Sequence, residues 1–99
     1  MIDLLSKIYV DLNELVIRKV PHDKEILSTR VIKEHTKICE YCFNIKSSYK
    51  NKNYMLEFKV SIKYILFILN YFISKKIINN DVYKIIEKEY KDLYYIINP

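Results

Sequence analysis

Glycine is absent from this chain of 99 residues, and so is alanine. Without glycine, the Gly-rich loops that cradle phosphates in nucleotide-handling enzymes are excluded, because they need a backbone free of Cβ for close approach. Every helix C-terminus must also place another residue, asparagine or lysine, where glycine usually sits. Tryptophan is missing, there are two prolines, and the two cysteines make one CxxC, Cys39 and Cys42. So few cysteines agree with a reducing, cytoplasmic address. No run of five or six like charges occurs, which excludes a disordered basic tail. The first ten residues lack a basic segment followed by a continuous apolar one, so no signal peptide is expected. The most apolar stretch, Val60 to Ile73, is interrupted by Lys63 and Asn70. It falls short of the roughly 18 to 20 residues that cross a bilayer, so no membrane span is expected.

What the chain does contain is apolar and basic. Half of it is hydrophobic (51%), enough for one core in a single domain over residues 1–99. Ten tyrosines suit half-exposed helix faces and interfaces, where a ring is buried and its hydroxyl stays wet. The net charge is +5, with fifteen lysines and two arginines. Lys, Ile, Asn and Tyr dominate as in an AT-rich coding sequence, which weakens lysine number as evidence by itself.

Four apolar stripes stand in helical register: Met1, Leu5, Ile8, Leu12, Leu15; Val31, His35, Ile38, Cys42, Ile45, Tyr49; Met55, Phe58, Ile62, Ile65, Leu69, Phe72; and Val82, Ile86, Glu89, Leu93, Ile96. Steps of three and four place each stripe on one helix face. The first helix is expected over about Ile2 to Lys19, before Pro21. The second runs from an Asp23 N-cap to about Ser48, the third from an Asn53 cap to about Lys76. The fourth starts from a cap at Asn79 or Asn80 and continues to about Ile97. Short breaks between matched helices give an all-α, antiparallel up-down-up-down four-helix bundle.

Helix three is more apolar than one seam needs. Eleven of its fourteen positions from Val60 to Ile73 are hydrophobic. The surplus, Val60, Tyr64, Phe67, Ile68 and Tyr71, is expected to face solvent in a monomer and so to form an oligomer interface. A wider core contact and a membrane-surface face are the other readings.

Candidate chemistry is sparse. His35, Cys39 and Cys42 share one helical face and make a three-ligand metal site conceivable. A structural zinc needs four ligands, however, and His35 and Cys42 fall in the core stripe, where cysteine behaves as a small hydrophobe. Redox CxxC pairs sit at a helix N-terminus, and this one is mid-helix. Carboxylates lie among lysines as in solvated helix faces, and no nucleophile has a base. No catalytic residue, metal or cofactor is expected, and the protein reads as a non-enzyme.

The basic residues sort into stripes: Arg30, Lys33 and Lys37 on helix two; Lys46, Lys50 and Lys52 extending the charge into the next loop; Lys59 and Lys63 on helix three; Lys84, Lys88 and Lys91 on helix four. Most such stripes are solvated faces. Several on one small bundle, repeated by oligomerisation, would make a surface that binds RNA or DNA phosphates without reading sequence. Arg30, Lys33, Lys37, Lys46, Lys50, Lys59 and Lys63 are the candidate nucleic-acid-binding residues.

The layout resembles the small four-helix-bundle proteins of the 23S rRNA intervening-sequence type and the related Avd accessory proteins of diversity-generating retroelements. The resemblance covers nearly the whole chain. It rests on DLLSKIYVDLNELV in the first helix, the VPHDKEIL connection, and KKIINNDVYKIIEKEY leading into a Tyr-containing fourth helix. The chain departs from the family in lacking its usual glycines and in a shorter C-terminus. The resemblance implies a homopentamer with a basic surface that binds nucleic acid and associates with a reverse transcriptase during mutagenic retrohoming. A small cytoplasmic immunity protein against a bacteriocin is the alternative.

Overall fold

The computed structural model describes residues 1–47 and 52–98; the side chains of residues 17, 45–47 and 52–53 lie outside the description, as do Tyr49, Lys50 and Pro99. Among the described residues the chain is all-α, with no strand. Four helices form: α1 (Ile2–Arg18), α2 (Glu25–Ser47), α3 (Lys52–Ser74) and α4 (Asn80–Ile97). None of the described helices is long and apolar enough to cross a membrane.

The helix ends follow from local chemistry. The Lys19 amide closes α1 by donating to the Leu15 carbonyl at 2.9 Å, and Pro21 then turns the backbone extended. The expected Asp23 cap does not form. Asp23 lies inside a 3₁₀ turn (His22–Lys24), closed by the Lys24 amide on the Pro21 carbonyl at 3.0 Å, and α2 follows directly. Asn53 is likewise inside α3 and not ahead of it. Asn79 does cap α4, its side chain accepting from the Val82 amide at 3.1 Å. At the end of α3 the absence of glycine is met by Lys76, at φ 60°. The Ile77 amide donates to the Phe72 carbonyl and the Lys76 amide to the Ile73 carbonyl, both at 2.9 Å. This is a complete Schellman closure with lysine in the left-handed position.

The core draws on all four helices. Leu5, Ile8, Leu12 and Leu15 from α1 meet Val31, His35, Ile38 and Cys42 from α2, Phe58, Ile65, Leu69 and Phe72 from α3, and Ile86, Glu89 and Leu93 from α4. All of these lie on the stripes read from the sequence. Helix α2 packs most extensively on α3, α1 lies against α2 and α4, and α3 lies against α4. Contacts run in opposite order along the two helices: Lys24, just before α2, meets Tyr71 late in α3, followed by Arg30 with Tyr64, Glu34 with Ser61, and Tyr41 late in α2 with Tyr54 early in α3. Between α3 and α4, Asn70 meets Tyr83 and Phe58 meets Tyr94.

Two stripes need correction. Ile68, expected on the outer face of α3, is 3% exposed and belongs to the core. A helix wedged between two neighbours buries a face wider than one seam. Ser61 and Ile68 extend it on the α2 side, where Ser61 donates to Glu34 Oε1 at 3.1 Å. On α4 the seam drifts from Ile96 to Ile97, and Tyr90 joins it, because a straight helix turns every 3.6 residues and outruns a strict 3.5 repeat.

Candidate nucleic-acid interface

The basic residues divide between the two flanks of α3. On the α2 flank, Arg30 Nη1 donates to the Tyr64 hydroxyl at 3.0 Å, and Lys37 pairs with Glu34 at 3.5 Å. Lys33 is exposed, with no ion pair among the described residues. Lys46 lies on α2 with its side chain outside the description, and Lys50 lies outside the described residues altogether. Near the 3₁₀ turn, Lys24 and Lys75 both stand 5.8 Å from the centre of the Tyr71 ring, and Lys24 also donates to its hydroxyl at 3.4 Å. Tyr64, against α2, and Tyr71, against the 3₁₀ turn, are therefore half-buried and not on an open interface as expected. Val60 and Phe67 remain fully on the outer face, 57% and 72% exposed, and Leu56 extends the same ridge.

On the α4 flank, Lys59 and Lys63 line a groove of about 360 Å³ between α3 and α4. Ile62 and Leu66 form part of its lining, and Lys91, Glu87, Tyr94 and Tyr95 stand on the α4 side. Lys59 Nζ lies 5.4 Å over the Tyr94 ring, whose plane also stacks on Phe58 at 6.4 Å and 16°. The hydrogen bond from Asn98 and then the one from Lys59 hold the Tyr94 hydroxyl below its usual range. Glu87 is engaged twice, accepting from the Tyr83 hydroxyl at 3.2 Å and pairing with Lys91 at 4.0 Å. Lys88 is turned to Asp92 at 3.2 Å, and Lys84 is exposed.

The structure thus joins Lys59 and Lys63 to Lys91, and joins Arg30 to Tyr64, but it does not merge the two groups into one patch. Lys91, Tyr94 and Tyr95 were not among the candidate residues. Their signal in the sequence was the Tyr94–Tyr95 doublet one turn beyond Lys91, which becomes meaningful only when α4 is known to lie beside Lys59.

The His35–Cys39–Cys42 face is built as core. His35 Nε2 lies 3.0 Å from the Leu5 carbonyl, which can only accept, so Nε2 carries the proton. Nδ1 then accepts from the Tyr90 hydroxyl at 2.8 Å. The ring is neutral, with burial holding its pKa below the usual range. Burial also pushes the Cys42 thiol up to about 12, the opposite of a reactive thiolate. No group of three or more His, Cys, Asp and Glu among the described residues is placed to hold a metal ion. On α4, Glu89 is buried with neither oxygen hydrogen-bonded at ordinary geometry. Burial first, and the neighbouring Asp11 carboxyl second, push it up to about 7.

No family model, curated protein or solved structure matches this chain.

Proposed function

We propose that this protein is a non-catalytic, nucleic-acid-binding accessory protein whose four helices form an antiparallel up-down-up-down bundle and which assembles with copies of itself. The observation that carries the binding reading is the pair of basic flanks on α3, with Lys33, Lys59 and Lys63 exposed and the chain at +5. Lysines are strongly hydrated point charges, suited to phosphate contact and ill suited to bidentate reading of bases. RNA and DNA should therefore bind with little sequence preference. Self-association is supported by the ridge of Leu56, Val60 and Phe67, three large apolar side chains exposed along one helix. By the resemblance, the assembly is a pentamer, and its protein partner is the reverse transcriptase of a diversity-generating retroelement in the cytoplasm.

Fluorescence anisotropy with unrelated RNA and DNA sequences across a salt series tests the binding reading. Log K should fall by roughly 0.7 to 0.9 per phosphate neutralised for each unit of log salt. Replacing Arg30, Lys33 and Lys37 together by glutamine should weaken all sequences about equally and flatten that slope. Absence of binding at low salt would sink the reading.

A further inference from the structure

We propose that the α3–α4 groove holds a single strand of nucleic acid, with a base laid against the Tyr95 ring and the flanking phosphates taken by Lys59, Lys63 and Lys91. This rests on the reading above and narrows it to a site and a ligand class.

Charge selects an anion. Three lysines rim the groove against one carboxylate, Glu87, which is already shared between Tyr83 and Lys91. Lys59 and Lys63 are four residues apart on α3, so their Cβ atoms lie roughly 6 Å apart on one face. Lys91 approaches from the opposite wall. A strand running along the groove meets positive charge on both sides, and the two α3 lysines are spaced to serve neighbouring phosphates.

The rings select a base. Tyr94 is committed, with Phe58 stacked on it and Lys59 over it. Tyr95 is different: it is 66% exposed, and its contact with Tyr94 is T-shaped at 6.0 Å and 72° and not stacked. An exposed aromatic face beside lysines, over an apolar lining of Ile62 and Leu66, matches the stacking platforms on which single strands lie. A duplex hides its base faces inside the stack and can offer the groove only phosphates. An acidic peptide would satisfy the lysines and leave the ring and apolar lining unused.

The test uses the whole protein with labelled oligo-dT and oligo-U of about 12 nucleotides, within the site sizes of single-strand binders. A duplex of equal length at the same salt serves as the comparison. Tyr95→Ala should weaken single-strand binding roughly ten-fold, the loss expected for one stacked base. Duplex binding should be unchanged, and Tyr95→Phe, which keeps the ring, should restore the wild-type value. Glutamine at Lys59, Lys63 and Lys91 together should lower single-strand affinity and its salt slope. Far-UV circular dichroism checks that each variant stays helical. If both polymers bind and Tyr95→Ala leaves the single strand untouched, this inference falls and the broader reading stands. If neither polymer binds, both fall. Capture by phosphatidylglycerol vesicles without single-strand binding would assign the groove to lipid headgroups and overturn the proposal.

Discussion

At the scale of single residues, two buried titratable groups pull stability in opposite directions with pH. Neutral His35 is fixed between the Leu5 carbonyl and the Tyr90 hydroxyl. With its folded pKa below the ordinary 6.5, the unfolded chain takes up its proton first, so His35 costs stability as pH falls below about 6.5. Glu89 does the reverse. Raised from 4.5 to about 7, it is protonated in the fold while the unfolded chain is already ionised, so stability is lost as pH rises between those values. Glu89→Gln removes that second limb. The stability difference between Glu89→Gln and wild type, from urea midpoints, should be flat below pH 4.5. It should then grow in favour of the variant by on the order of 2–3 kcal/mol by pH 8. A fixed cost of the amide offsets the whole difference curve and leaves its slope unaltered. Parallel profiles for the two proteins would show that Glu89 is ionised and hydrated in the fold.

At the scale of elements, the close of α3 shows what a glycine-free chain gives up. Lys76 holds a left-handed conformation that strains an L-residue by about 1–2 kcal/mol. Lys76→Gly should therefore stabilise the protein by about 0.5–1 kcal/mol after the added freedom of the unfolded chain is subtracted. A lower urea midpoint for that variant would contradict this account. That some substitute for glycine was needed could be read from composition alone, and so could the four core stripes, because three-four spacing encodes a face. What the stripes do not encode is which neighbour lies on which side of the helix. Ile68 and Tyr64 both looked surplus on α3, yet one is core and the other leans on Arg30, since α2 covers that flank. The groove was hidden for the same reason. Lys59 and Lys63 could be named from their stripe, but Lys91 and Tyr95 lie on the next helix and join them only through packing.

At the scale of the whole molecule, the proposed self-association rests on the outer ridge of α3. Phe67→Glu places a charge at a position 72% exposed, so the fold should survive while an assembly built on that ridge comes apart to monomer in sedimentation. Ile68, by contrast, would answer through stability, because a charge there is buried. A wild-type chain that is monomeric at micromolar concentration would remove the assembly. The uneven packing among the helices also bears on how the molecule forms. The α2–α3 pair has the most extensive contact and joins helices adjacent in sequence, whereas α1 and α4 meet across most of the chain's length. Closing the shorter loop costs less chain entropy, so the α2–α3 pair can form early and α1 can dock on α4 last. The flank of α3 that faces α2 is then completed first. The groove beside Lys59 and Tyr95 waits for α4, so a chain still emerging from synthesis shows Lys59 and Lys63 bare before Lys91 and Tyr95 stand opposite them.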